Sequence, residues 1–113
     1  MKVEDLVGEK LNHWVAKAEG LVLGKWLEED TWYKQPSKRE YIICKAKHWE
    51  PSSVWAQGGP IIDRERIKVD PGGAEWTASM SRDNCVQYIH VGETALIAAM
   101  RCFVASRYGD EVP

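Results

Sequence analysis

Apolar residues recur at helical spacing in two stretches of the chain and at strand spacing in several others. In 9–19, Leu11, Trp14, Val15 and Ala18 share one face, while Glu9, Lys10, Lys17 and Glu19 fall elsewhere, which predicts an amphipathic helix. Gly20 is a natural stop, because it takes positive φ without penalty. In 94–108, Leu96, Met100, Phe103 and Arg107 lie on adjoining turns of one face, and Ala95, Ala98, Ala99 and Ala105 permit close packing on a sheet. Gly109 ends that helix, and 110–113 reads as a tail.

Between the helices the pattern shortens. Leu21-Val22-Leu23 reads as a short strand, 28–30 and 35–37 as loop, and Tyr41-Ile42-Ile43-Cys44 as a strand of β-branched and aromatic residues. Residues 48–60 show no period and carry two prolines, two glycines and two serines, a loop composition. Pro60 then starts a helical turn through Ile61, Ile62 and Glu65. Ile67-Lys68-Val69, a Pro71-Gly72-Gly73 turn and Glu75-Trp76-Thr77-Ala78 form a hairpin, and 85–91 a further strand. The expected fold is α+β, a small antiparallel sheet of about three to five strands packed with an N-terminal and a C-terminal helix. At 113 residues it is read as a single domain, 1–113.

Composition narrows the classes of function. With 44% hydrophobic and 28% charged residues the chain is globular, and no run approaches a membrane span. The opening Met1-Lys2-Val3-Glu4-Asp5 lacks an apolar signal core, so secretion is not expected. A net charge of -2 argues against duplex nucleic acid bound by the overall field. Cys44, Cys85 and Cys102 are odd in number and form no C-x-x-C, so neither a disulfide framework nor a zinc site is expected. His13, His48 and His90 lie far apart, and no metal or other cofactor is expected.

Three segments carry a family likeness: WVAKAEG at 14–20, PSSVWAQGGPIIDRE at 51–65 and LIAAMRCFVASRYGDEV at 96–112. In this order and spacing they resemble the NinX-like family of small bacteriophage and prophage proteins, and the resemblance covers nearly the whole chain. It implies a phage-encoded protein acting in the bacterial cytoplasm. It brings no activity with it, so the site rests on the residues.

The segment 49–64 is the best candidate. Gly58-Gly59 allows close backbone approach to a ligand, and a helical turn from Pro60 would face the loop with its positive end. Trp49 and Trp55 offer stacking faces, Ser52, Ser53 and Gln57 offer hydrogen bonds, and Arg64 offers a planar fork for a phosphate. That set suits a nucleotide-like small molecule, such as a host defence signal, although it is neither a Walker loop nor G-x-G-x-x-G. The bland alternative is a turn with Trp55 as a core plug and Arg64 in a surface ion pair.

Six Trp against one Phe bear on the same choice. Trp14 and Trp76 fall on core faces and should be mostly buried. Trp26, Trp32, Trp49 and Trp55 fall in loops, where an exposed cluster implies a ligand, a host protein or a homo-oligomer interface. A second candidate is the basic stretch Lys34, Lys38, Arg39, Lys45 and Lys47, interleaved with Trp32, Tyr33, Tyr41 and Trp49. It carries +4 locally and resembles a single-strand stacking platform, against a lysine-protected strand edge as the alternative. Catalysis has the weakest support, because Ser52, Ser53, Cys44 and His48 lie on no recognised signature. The leading expectation is a non-enzymatic protein binding a nucleotide-like ligand. A module inhibiting a host protein and a single-strand binder are the rivals.

Overall fold

The computed structural model describes residues 1–26, 30–36, 41–82 and 86–113, and for residues 25, 26, 30–32 and 41–43 it describes the backbone. Among the described residues three α-helices, α1 (Gly8–Ala18), α2 (Trp55–Glu65) and α3 (Ala95–Tyr108), bracket two runs of three strands. The strands are β1 (Val22–Trp26), β2 (Asp30–Gln35), β3 (Tyr41–Lys45), β4 (Lys68–Gly72), β5 (Glu75–Arg82) and β6 (Val86–Gly92). The fold is α+β with N- and C-terminal helices, and its antiparallel strands divide into two three-stranded sheets, β1-β2-β3 and β4-β5-β6. Among the described residues no helix is long and apolar enough to cross a membrane.

The helix α3 is the centre of the molecule. Ten of its residues are buried, among them Leu96, Met100, Cys102, Phe103 and Val104. Thr94 Oγ1 caps its first turn by accepting from Ile97 N at 3.1 Å, and Gly109 at φ 83° ends it. The sheet β4-β5-β6 lies against it. Ala78 and Met80 of β5 are buried, and the alternate residues Thr77, Ser79 and Ser81 belong to the opposite face. Gly92 is required by close approach, since a Cβ there would sit 2.7 Å from Ala98 N and 2.8 Å from Ile97 Cγ2.

The helix α1 buries Leu11, Asn12, Val15 and Ala16. Gly20 at φ 80° reverses the chain, so that Leu21 N–H returns to Ala16 O at 3.0 Å. The chain then enters the first sheet. Tyr33 of β2 is buried and meets Trp49 with ring centroids 6.0 Å apart.

Several expectations change at this point. Trp26 and Trp32 lie on β1 and β2 rather than in loops, and Gln35 ends β2. Pro71 and Gly72 remain in strand, paired with Trp76 and Glu75, so the hairpin turns at Gly73 and Ala74 instead. Trp14 and Trp76 are mostly buried, as expected, and pack against the core without being sealed in it; Trp14 stacks edge-on with Tyr108 at 5.3 Å. The loop expected over 28–29 and at Ser37, with Lys38, Arg39 and Cys85, lies outside the described residues.

Candidate functional site

The segment expected to be a ligand loop is largely a helix. α2 begins at Trp55, five residues before Pro60, and Gly58, Gly59 and Pro60 lie inside it. Its positive end is therefore at Trp55, and Val54 O accepts from both Gln57 N and Gly58 N. Two glycines and a proline are the poorest helix formers. Packing outweighs propensity here, because a Cβ on Gly58 would fall on Pro51 O and within 2.6 Å of Leu96 Cδ2. That glycine lets α2 approach the preceding turn and α3, which accounts for it without a ligand.

Three of the groups nominated for recognition, Trp49, Ser52 and Gln57, are engaged internally. Trp49 is only 7% exposed, and its Nε1–H donates to Asn12 O at 2.9 Å. Ser52 N and Ser52 Oγ both donate to Asn12 Oδ1, at 3.0 and 2.6 Å. Gln57 Nε2 donates to His48 O at 2.8 Å, while its Oε1 accepts from Glu50 N. These bonds fold 48–57 on itself and fasten it to α1. Ser53 is exposed, and its Oγ lies 3.5 Å from Glu50 O.

The nominated residues also separate among three clefts. Trp49 lines one of about 360 Å³ with Tyr33, His13 and Lys47. Ser52, Ser53 and the 57% exposed Trp55 line another of about 230 Å³ against 94–97. Arg64 lines a third. The basic stretch fares similarly. Lys34 and Lys45 are half-buried and Lys47 is exposed. Tyr33 and Trp49, two of the expected stacking rings, are buried against each other. Lys38 and Arg39 lie outside the described residues.

The third cleft has the most concentrated chemistry. It measures about 540 Å³ and lies where the end of α2 meets β4, β5 and α3. Arg64, Arg66, Lys68, Arg82 and Arg107 line it, against the single carboxylate of Glu65. The chain as a whole has a net charge of -2, so this is a local inversion of sign.

Each cation is positioned differently. Glu65 bridges α2 to α3, accepting from Arg64 Nε at 2.9 Å and Arg107 Nη2 at 2.8 Å. Arg64 also pairs with Glu19. Arg107 Nη1 meets Ser106 Oγ at 3.1 Å, and its guanidinium lies 4.9 Å from the Phe103 ring centroid. Arg82 Nη1 donates to Ser106 O at 2.7 Å. Lys68 pairs loosely with Asp70 at 3.5 Å, and the Arg66 side chain has no partner among the described residues.

The backbone contributes as well. Arg66 caps α2 at φ 54°, a left-handed conformation that a residue with a Cβ adopts at some cost. Ile67 N–H returns from there to Ile62 O at 3.0 Å. The electrostatics of the cleft are consistent with its geometry. Burial alone would raise the Glu65 carboxyl, but hydrogen bonds and charge from Arg64 and Arg107 hold it below its ordinary value. Hydrogen bonding to Glu19 holds the Arg64 guanidinium above its own.

The sequence held part of this site in plain view. Arg64, Arg66 and Lys68 put three cations within five residues, a signal beside the nominated Arg64. Arg82 and Arg107 lie on separate elements, and only the tertiary fold brings them in.

The family model described as Bacteriophage P22, NinX matches residues 2–107, in keeping with the likeness carried by the three segments. A comparison with curated proteins finds no match.

Proposed function

We propose, for a chain that belongs to the bacteriophage P22 NinX family, a non-catalytic role in binding a phosphate-bearing, nucleotide-sized small molecule in the Arg64–Arg107 cleft. The observation that carries this reading is the convergence of five cationic side chains on one cleft in a chain of negative net charge. Guanidinium forks match phosphate oxygens in geometry and charge. The cleft volume suits a small ligand, and Ser79, Ser81 and Gln87 add hydrogen-bonding groups for its neutral part. The network through Glu65 and Ser106 fixes Arg64, Arg82 and Arg107 in advance, which lowers the ordering cost of binding. Sequestering a host signalling nucleotide during infection is one use of such a cleft.

This reading keeps the ligand class drawn from the sequence and moves its seat. Of the eight residues first nominated, Arg64 alone lines the basic cleft. Calorimetric titration with adenosine diphosphate and with inorganic pyrophosphate is the test. Saturable binding that weakens with salt is expected, and Arg66→Ala and Arg82→Ala should each weaken it about tenfold, the value of one charge-assisted hydrogen bond. Absence of binding to both probes at low salt, or binding indifferent to the double substitution, would overturn it.

A further inference from the structure

We propose that the outer edge of β6 is a docking site for an extended segment of a partner protein in which apolar residues alternate with Lys or Arg. The inference is independent of the anion cleft. It starts from a contrast between the two edges of the sheet β4-β5-β6. The β4 edge carries Lys68 and Pro71, two devices that discourage an added strand. The β6 edge, Val-Gln-Tyr-Ile-His-Val-Gly, has no proline and no Lys, Arg, Asp or Glu. Ile89 is 58% and Val91 44% exposed, and both belong to the face of the sheet away from α3. Arg101 Nη1 donates to Val91 O at 2.8 Å, which shows that the backbone groups of Val91, and by alternation those of Ile89 and Gln87, point off the edge; Arg101 covers the Val91 carbonyl, so an added strand would pair at Ile89 and Gln87.

A cleft of about 430 Å³ runs beside Ile89, His90 and Val91. Its far wall is built by the two chain ends, which pair at Lys2 and Glu111. That wall is acidic. Glu4, Asp110 and Glu111 line the cleft against Lys2 alone. Glu4 and Glu111 have no ionic partner among the described residues, and Asp110, 86% exposed, touches His90 at 3.2 Å.

These features together specify the occupant. A strand added to β6 would send alternate side chains to opposite faces. One set would lie beside the Ile89 and Val91 row and should be apolar. The other would face the carboxylates and should be basic. A second copy of this chain fits poorly, because a two-fold pairing of β6 with β6 would bring two sets of the same three carboxylates onto one edge.

The experiment is a titration of the full chain, followed by amide NMR, with two capped hexapeptides. One alternates Val and Lys, and the other alternates Val and Glu. The Val/Lys peptide should shift the amides of 87–91 and slow their hydrogen exchange, and the Val/Glu peptide should not. Glu4→Lys with Asp110→Lys, both exposed, should weaken the Val/Lys peptide about tenfold, as expected from reversing two surface charges. The proposal is overturned if both peptides bind alike, if neither perturbs 87–91, or if the double charge reversal leaves binding unchanged. A dimer that protects 87–91 without peptide would overturn it in favour of a second copy.

Discussion

The two sheets are built from the same number of strands and are held in opposite ways. β4-β5-β6 lies under α3 and buries Ala78 and Met80 against a helix that is itself almost wholly buried. In β1-β2-β3 the described side chains that reach the core are the partly buried Cys44 and the buried Tyr33, which meets Trp49, and Trp49 is fixed in turn by its bond to Asn12 O. The first arrangement spreads stability over apolar area, and the second concentrates it at one aromatic joint. The basic cleft and the β6 edge both sit on the broadly supported half, where a binding surface keeps its shape without a ligand.

The largest test of that contrast is Phe103→Ala. Phe103 is completely buried at the centre of α3 and is the chain's only phenylalanine. Its truncation should cost about 3–5 kcal/mol and lower the denaturant midpoint of the whole molecule. A loss below about 1 kcal/mol would mean that α3 is not the common support.

A smaller change should separate the halves. Trp49→Phe keeps a ring against Tyr33 and removes the Nε1–H donated to Asn12 O, at a cost of about 0.5–1.5 kcal/mol. Hydrogen exchange should quicken in β1, β2 and β3 while β4, β5 and β6 stay protected. Equal loss of protection in both sheets would show that the joint is no more local than the α3 core.

The same contrast explains what could be read from sequence. α1 and α3 were legible because a period, a buried face and a terminal glycine agree in each, and Gly20 and Gly109 both take positive φ. α2 was not legible before Pro60. Gly58-Gly59-Pro60 has the propensity of a loop, and what makes it helical is the non-local fit of Gly58 against Pro51 and Leu96. Trp26 and Trp32 read as loop residues because acidic and proline-containing stretches follow them, and strand pairing overrides that local signal. For the site, Gln57, Ser52 and Trp49 carry the groups a ligand would need, but the same groups are bonded within the chain here. Donors and acceptors do not reveal from sequence whether their partner is inside or outside the chain. Arg64 was nominated from the sequence and lines the basic cleft, while Arg82 and Arg107 needed the fold to join it.

The finest distinction between the halves is their response to pH. Glu65 ties α2 to α3 through Arg64 and Arg107, and its carboxyl is held below the ordinary value of 4.5. A depressed folded pKa contributes stability above the unfolded value and loses it as pH falls through the folded one. Acidification below about pH 4.5 should therefore weaken this clamp, and Glu65→Gln should flatten that part of the stability curve. Tyr33 has the opposite sign. Burial, and then the neighbouring Cys44, raise its phenol above 10.0, so the folded state favours the neutral ring. Its contribution is complete below the unfolded value and is lost as pH rises through the folded one. Alkali above about pH 10 should loosen the Tyr33–Trp49 joint, and Tyr33→Phe should abolish that loss. Thermal midpoints of wild type and each variant across both ranges give the comparison as differences, which cancels the titration of other groups. Parallel curves in acid would remove Glu65 as a clamp, and parallel curves in alkali would show that the first sheet does not hang on a neutral Tyr33.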